Sequence, residues 1–492
     1  MNKEHRHSEL HFEDHFELTI FNKDLIVQPP NILLLYTDQQ RFDTIRANGN
    51  TEIHTPNLDQ LAEDGINFDH YFVQNPVCMP SRLSFLSGRY PSTLGVTQMG
   101  VPVDQEIDII PHYLRNKGYK SGNIGKLHFL PHACRDHRDI HPNYGFDHLE
   151  ISDEPGPYPD AYRSWVENAA PEQLDKISLG LPPAAEVWQN QMGVRDNIQH
   201  PKERFPLKPL PFRGNPRYTH SSFVAEQTMN FVEQNRHRPF LCISGFYSPH
   251  SPWVAPQEFI DLYDPRSLTV PEYPEHVEDV RNPASFTLQE RRGAHHGYYA
   301  MISEVDHHVG RILSHLDEMG LRDNTIIVFT SDHGEWLGEH LKYGKGYPGH
   351  DCVTRVPLII RWPKIIKNPG RTVSSLIEGV DVLPTLLESV GIPRPEKLQG
   401  RSFFTSLLDR EWNERPAVKT EMYGWKTLRN HTHRYILCED GTEQLYHLSE
   451  DPRAYFNCAE DPSQKEMLTD MRLQLLLHEL ESERPIQRVW PY

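Results

Sequence analysis

The sequence lacks the features of a membrane-spanning, secreted or nucleic-acid-binding protein. None of its apolar runs approaches the length of a membrane span. The N-terminal stretch MNKEHRHSELHFEDHFEL mixes both charges with histidine, whereas a secretory signal contains a continuous apolar segment. Lys and Arg number 50 against 68 Asp and Glu, and the resulting net charge of −18 would repel a nucleic-acid backbone. We therefore expect a cytoplasmic protein that binds neither a membrane nor a nucleic acid.

Cysteine is scarce, and its spacing argues against a structural zinc site. The six cysteines are scattered along the chain and include no CxxC pair. Most of them are expected to be small, reduced, partly buried side chains. Cys78 is the exception, because the residues around it form a specific pattern.

The alternation of strand-length apolar runs with helical stretches predicts an α/β fold, with a large, mostly parallel sheet sandwiched by helices. Predicted strands are Asn31–Thr37, Tyr119–Ile124, Phe240–Phe246, Thr325–Thr330 and Pro357–Arg361. Predicted helices are Pro56–Asp64, Ile109–Asn116, Thr219–Glu233, Tyr298–Met319 and Asp381–Val390. The mean hydropathy of −0.63 and the 41 prolines indicate much exposed loop as well.

The length of 492 residues predicts more than one domain. We expect an N-terminal tail over residues 1–30, a catalytic α/β domain over 31–395 and a smaller C-terminal α+β domain over 396–492. The last of these shows short strand patterns and a final helix from Ser463 to Leu480. Two proline-rich stretches, residues 151–216 and 251–292, are interpreted as long surface insertions near a site.

Polar side chains gather just after the predicted strands, where open α/β sheets bind their ligands. These residues are Asp38 and Gln39, Lys126 and His128, His250, and Asp332 and His333. Two carboxylates, an amide oxygen and an imidazole form a mainly oxygen site that suits Ca²⁺, Mg²⁺ or Mn²⁺. Lys126, Lys345 and Arg82 add cationic donors, which favours an oxyanion as substrate.

The segment PVCMPSRLSFLSGR, Pro76 to Arg89, resembles the signature of the sulfatase family, whose members are formylglycine-dependent and belong to the alkaline-phosphatase-like superfamily. Further segments are similar to that family and stand in the family's order. They are TPNLDQLAEDGINF, GKLHF, NYGFD, SPHSP, SDHGEWLGEH, RVPLIIRWP and LYHLSEDP. The resemblance implies hydrolysis of a sulfate monoester to an alcohol and sulfate, after a maturation enzyme has converted Cys78 to formylglycine.

The resemblance also implies a role for each candidate residue. Asp38, Gln39, Asp332, His333 and the converted Cys78 would hold one divalent metal ion, Ca²⁺ foremost, with Mn²⁺ or Mg²⁺ as alternatives. The other roles are assigned as follows: Arg82 and Lys126 would orient the gem-diol nucleophile, His128 would accept its proton, and His250 and Lys345 would bind sulfate and assist departure of the alcohol. Lys342 is an alternative to Lys345.

Two positions depart from the commonest family pattern. Asp38-Gln39 stands where Asp-Asp is usual, and Asp332-His333 stands where Asp-Asn is frequent. This combination resembles phosphonate monoester hydrolases and, in part, choline sulfatases. A phosphonate monoester or phosphodiester hydrolase using the same site is therefore the alternative, although GKLHF keeps the Lys and His of the sulfatases.

Overall fold

The computed structural model describes residues 29–132, 135–180, 182–193, 195–278 and 286–483. Nearly all of the predicted tail, residues 1–28, lies outside the described residues, as does Cys134. Within the described ranges, no helix is both long enough and apolar enough to cross a membrane.

The structure contains strands of two to seven residues along the described chain. The strands are β1 (Asn31–Thr37), β2 (Ile66–Phe68), β3 (Tyr71–Phe72), β4 (Lys120–Gly125), β5 (His148–Ile151), β6 (Leu210–Pro211), β7 (Phe240–Gly245), β8 (Val254–Ala255), β9 (Thr325–Ser331), β10 (Leu358–Arg361), β11 (Arg371–Val373), β12 (Ile377–Glu378), β13 (Val418–Met422), β14 (Trp425–Arg429), β15 (His433–Cys438) and β16 (Glu443–His447).

The α-helices range from single turns to the long helix α10. They are α1 (Pro56–Glu63), α2 (Cys78–Ser87), α3 (Pro91–Leu94), α4 (Ile110–Arg115), α5 (Ala161–Ala169), α6 (Pro182–Met192), α7 (His220–Asn235), α8 (Gln257–Ile260), α9 (Glu275–Glu278), α10 (Leu288–Glu318), α11 (Asp351–Thr354), α12 (Val382–Ser389), α13 (Phe404–Leu407) and α14 (Lys465–Ser482).

Eight strands form one sheet in the order β11-β2-β10-β9-β1-β7-β4-β5. All run in the same direction except β10, which pairs antiparallel with both β9 and β2. Alternate residues of β1 face opposite sides of the sheet: Ile32 and Leu34 lie in one hydrophobic core, while Leu33 and Leu35 lie in the other. The predicted mostly parallel sheet with a core on each face is confirmed.

A separate antiparallel sheet, β13-β14-β15-β16, forms the smaller C-terminal unit. Helix α14 packs on it, with Leu468, Met471 and Leu475 buried against Leu428 and Tyr435. This arrangement confirms the predicted small α+β domain, while its boundary at residues 395 and 396 stays a prediction.

The start of α10 was predicted wrongly. The helix begins at Leu288, ten residues before the predicted Tyr298, and a capping box between Thr287 and Glu290 satisfies its N-terminus. Its first ten residues, LQERRGAHHG, have no apolar periodicity and contain two glycines. Packing stabilises this part of the helix where its helix propensity is low, since the stretch from Ala294 onward is largely buried.

The stretch 151–216 holds helices α5 and α6, which the periodicity of the sequence did not reveal.

Candidate active site

The predicted site residues meet at one edge of the large sheet. Four adjacent strands, in the order β9-β1-β7-β4, all point their carboxyl ends to this edge. Asp332, Asp38 and Lys126 directly follow β9, β1 and β4, and His250 lies in the loop after β7. Every one of the ten predicted site residues except Lys345 is buried, with at most a few per cent of its surface exposed.

Four side chains form a cluster that could hold a metal ion. The ligand atoms of Asp38, Cys78, Asp332 and His333 all lie within 4.8 Å of one another. His333 donates from Nδ1 to the carbonyl oxygen of Gly334 at 2.8 Å, so its Nε2 lone pair faces the cluster. Burial lowers the pKa of His333 to about 4, which keeps the ring in the neutral form that binds metals.

Asp38 is a buried carboxylate paired with a buried lysine. Its Oδ2 lies 2.5 Å from Nζ of Lys126. Burial alone would raise the pKa of Asp38, but the charges of Lys126 and Lys345 outweigh that effect and hold the pKa well below its usual range. The backbone at Lys126 is tightly fitted, because a Cβ on Gly245 would collide with the Lys126 carbonyl. Asp38 is therefore ionised and fixed in place.

Asp332 is held by two donors, one to each oxygen. The backbone N–H of Gln39 donates to Oδ1 at 3.0 Å, and Arg82 donates from Nε to Oδ2 at 2.7 Å. Arg82 also donates to the carbonyls of Lys126 at 3.0 Å and Thr37 at 3.2 Å. These contacts join the ends of β1, β4 and β9, so Arg82 orients the carboxylate and ties the three strand ends together.

Gln39 brings an amide to the same cluster. Its backbone has φ of 69°, a left-handed conformation that is uncommon for a residue other than glycine. Its Nε2 donates to Oε2 of Glu335, while its Oε1 is buried and has no hydrogen-bond partner in the part of the chain that the structure describes. If this amide oxygen joined the cluster, the donor set would be two carboxylates, one imidazole and one amide, which fits a divalent ion that prefers oxygen.

Cys78 is the first residue of α2, and every residue of that helix is buried. Its Sγ lies 3.2 Å from Nε2 of His333 and 3.5 Å from Oδ2 of Asp38. Burial, with a further contribution from Asp38, raises the pKa of the thiol to about 12, although Lys345 opposes the shift. An unmodified Cys78 is therefore a protonated thiol and a poor nucleophile at neutral pH.

Lys345 contacts both residue 78 and His250. Nζ of Lys345 lies 2.6 Å from Sγ of Cys78 and 3.0 Å from Nε2 of His250. His250 Nδ1 lies 2.6 Å from the carbonyl of Ser251, which leaves Nε2 as the acceptor for Lys345. Lys342 lies elsewhere, with its ammonium 4.6 Å from the centre of the Trp336 ring. Of the two candidate lysines, the geometry brings Lys345 to residue 78.

His128 stands apart because neither ring nitrogen has a hydrogen-bond partner among the described residues. Its backbone is nevertheless fixed: φ is 58°, and its N–H donates to Asp153 at 2.7 Å. The ring centroid lies 4.2 Å from that of His132. Burial, reinforced by His132 and Lys126, holds the pKa of His128 well below its usual range. The ring is neutral and able to accept a proton.

Three residues of this region were missed by sequence reasoning, namely Glu335, Asp153 and His132. Asp153 lies two residues after the end of β5, and the strand-end criterion would have selected it if β5 had been predicted. The strand has the polar sequence HLEI and is only half buried, so its pattern is weak. Glu335 lies within the segment SDHGEWLGEH, two residues after His333, but its partners are visible only in three dimensions.

Two family models and several known proteins match this chain. A family model described as sulfatase matches residues 30–392, and one described as N-sulphoglucosamine sulphohydrolase, C-terminal, matches residues 338–482. An arylsulfatase of Clostridium perfringens is 28% identical over 484 residues, which is 92% of this chain and 94% of that protein. A multifunctional alkaline phosphatase superfamily protein, PehA, of Trinickia caryophylli is 27% identical over 478 residues, 88% of this chain and 90% of that protein.

The fold also matches solved structures. The crystal structure of a phosphonate monoester hydrolase of Agrobacterium radiobacter superposes with a TM-score of 0.76, covering 92% of this chain and 96% of that chain. Sequence identity between the two is 23%, so the likeness concerns the architecture.

Proposed function

Because this chain belongs to the sulfatase family, we propose that its buried cluster hydrolyses sulfate monoesters with formylglycine made from Cys78 and one divalent ion. The observation that supports this most is the meeting of Asp38, Cys78, Asp332 and His333 within 4.8 Å, with the ammonium of Lys345 against residue 78. A sulfate ester is an anion, so a site that attacks it must concentrate positive charge around the reacting group.

The ion would be held by Asp38, Gln39, Asp332, His333 and the converted residue 78. Bound there, a divalent ion supplies positive charge that lowers the cost of bringing a nucleophile to an anionic ester. The mainly oxygen donor set makes Ca²⁺ the foremost candidate, with Mn²⁺ or Mg²⁺ as alternatives.

The hydrated aldehyde would supply two hydroxyl groups at position 78, which a protonated thiol could not do. Conversion of Cys78 is an oxidation that the site itself does not perform, so we include a maturation enzyme as a partner. Lys126 and Arg82 keep the surroundings of this residue positively charged and ordered, through Asp38 and Asp332 respectively.

Departure of the alcohol needs a positive charge or a proton at the leaving oxygen. Lys345 is placed to provide it, since its ammonium lies against residue 78. His250 receives a hydrogen bond from that ammonium and is itself anchored on the Ser251 carbonyl. His250 therefore directs Lys345 toward the ester.

His128 is assigned the acceptance of the proton whose removal allows sulfate to leave. Its ring is neutral, and no group of the described residues bonds to its two nitrogens. The ring would thus be available as a base for a hydroxyl at residue 78.

The test combines mass spectrometry with kinetics. A peptide spectrum of active protein should show the Cys78 thiol replaced by an aldehyde, and turnover of an aryl sulfate should scale with the converted fraction. An active preparation that contains only free thiol would contradict the proposal.

A second candidate, hydrolysis of phosphonate monoesters or phosphate diesters, is favoured by one observation. Gln39 contributes a neutral amide where a carboxylate is common, and this changes the charge of the metal shell. Comparing kcat/KM for one aryl leaving group carried as sulfate, phosphate diester and phosphonate monoester separates the two. We expect the sulfate to react fastest.

A further inference from the structure

Glu335 is a completely buried side chain that contacts Gln39, next to the cluster, and the backbone N–H of Gly344, next to Lys345. Its Oε2 accepts a hydrogen bond from Nε2 of Gln39. Its Oε1 accepts from the backbone N–H of Leu337 at 3.0 Å and from that of Gly344. Four residues farther along, Glu339 is also buried, but its carboxylate bonds to Tyr455 and Arg41 instead.

The contact with Gln39 decides which end of the amide faces the cluster. The two ends of a glutamine amide have nearly the same shape, so packing alone does not distinguish them. Both oxygens of the Glu335 carboxyl accept hydrogen bonds from N–H groups, and only the NH₂ end of the Gln39 amide can donate to them. The oxygen end, Oε1, is then left buried and without a partner among the described residues, as a metal ligand requires.

The contact with Gly344 fixes the position of the segment that carries Lys345. Gly344 immediately precedes Lys345 and has φ of 87°, a conformation that strongly favours glycine. The Glu335 carboxylate holds the N–H of this residue, so it sets where the segment places the ammonium of Lys345 against residue 78.

We propose that Glu335 is a positioning residue that makes Gln39 a metal ligand and aligns Lys345 with residue 78. The inference rests on the proposed function, since it requires a metal ion in the cluster. It explains why an amide stands at position 39: an ionised carboxylate there would have no N–H to offer Glu335.

The test begins with Glu335→Gln, which keeps the size of the side chain. The introduced amide can still accept from Gly344 and Leu337 through its oxygen, but its NH₂ group then meets the NH₂ group of Gln39. The Gln39 amide must turn over and present NH₂ to the metal. Affinity for Ca²⁺, measured by calorimetry, should fall about 10–100-fold. If the wild type binds Mn²⁺ or Mg²⁺ instead of Ca²⁺, that ion is the probe.

The rescue variant is Gln39→Glu combined with Glu335→Gln. Here the NH₂ group introduced at position 335 donates to one oxygen of the carboxylate introduced at position 39 and leaves the other oxygen for the metal. Affinity should return to within about tenfold of the wild type or exceed it. Gln39→Glu alone controls for the added charge, and it should bind the ion more weakly than the double variant because two carboxylates then face each other. If Glu335→Gln does not fold, this comparison still tests the proposal.

Two further readouts separate positioning from general stability. Glu339→Gln, the matched control, should keep both the metal affinity and the activity of the wild type. Glu335→Ala, which also removes the acceptor for the Gly344 N–H, should show a steeper dependence of kcat on the pKa of the leaving group because Lys345 is no longer aligned, and the control should not.

The outcomes are distinct. Wild-type affinity in Glu335→Gln, or a double variant that binds no better than Glu335→Gln, overturns the role of Glu335. If Gln39→Glu alone and the double variant gained the same affinity for the ion, the gain would be an effect of charge only. That result would also overturn the role of Glu335. A wild type that binds no divalent ion removes the proposed function together with this inference.

Discussion

The candidate metal cluster and His128 differ in how their side chains are held. In the cluster, both oxygens of Asp332 accept hydrogen bonds from protein donors, and His333 is anchored through Nδ1. His128 has a fixed backbone, but neither of its ring nitrogens has a partner among the described residues. The cluster is thus ordered before any substrate arrives, whereas the ring of His128 keeps both nitrogens available for hydrogen bonds.

The difference teaches that substitutions in the cluster and at His128 should impair the enzyme in different ways. Preorganised groups act together, so removing one disturbs the ion and every step that depends on it. A residue with free nitrogens acts in one proton transfer, so removing it should slow that step and leave the ion in place.

The largest effect is expected for Asp332→Ala. The change removes one of two carboxylates from the cluster and frees Arg82, so the protein should lose stoichiometric metal and turnover should fall at least about 10³-fold. Metal content by atomic spectroscopy and turnover of an aryl sulfate check both. Gln39→Ala should be milder, because it removes only a neutral ligand. Full metal content in Asp332→Ala would refute the assignment of Asp332 as a metal ligand.

His128→Ala should sharpen the comparison. The bound metal should stay, while steady-state turnover falls about 10²–10⁴-fold. Rapid mixing of aldehyde-containing enzyme with an aryl sulfate should still release a burst of phenol close to the active-site concentration, since the alcohol leaves before His128 is needed. A slow first turnover without a burst would instead place His128 in substrate binding or alcohol departure.

Lys345→Ala and Lys342→Ala form a matched pair. Lys345 touches residue 78, whereas Lys342 lies over Trp336. The first variant should lose about 10²–10³-fold in kcat, with a smaller loss for aryl sulfates that have good leaving groups. The second should change kcat little. Equal effects of the two substitutions would disprove the assignment of Lys345.

The smallest effect concerns Glu304, a buried carboxyl of α10 outside the site. Burial raises its pKa to about 7, and Thr219 and Ser221 only partly oppose the shift. A carboxyl whose folded-state pKa is raised contributes stability at low pH that is lost as the pH rises through about 4.5–7. Glu304→Gln should therefore raise the melting temperature at pH 8 by about 2–4 °C and have no such effect at pH 4. Scanning calorimetry at both values decides this.

The long central strands were predicted well, because continuous apolar runs such as NILLLYT occur where both faces of a sheet are covered. The half-buried edge strand β5 and the strand β13, VKTEM, were not predicted. Their sequences mix polar and apolar residues, and packing against neighbouring elements decides which of these residues are buried. In the site, the residues that directly follow long strands were found. Glu335 and His132 were not, since their importance depends on contacts with Gln39 and His128 that only the folded chain shows.

The burial of helix α2 restricts when Cys78 can be modified. In the folded chain Cys78 is completely buried, and Asp332 and His333, which follow β9, lie beside its thiol. If Cys78 is converted as we propose, the enzyme that oxidises its thiol would therefore act before β9 docks beside β1. At ribosomal rates of about 5–20 residues per second, the roughly 250 residues between Cys78 and β9 take on the order of 10–50 s to synthesise. Under the proposed function, conversion of Cys78 would thus compete in time with completion of the sheet.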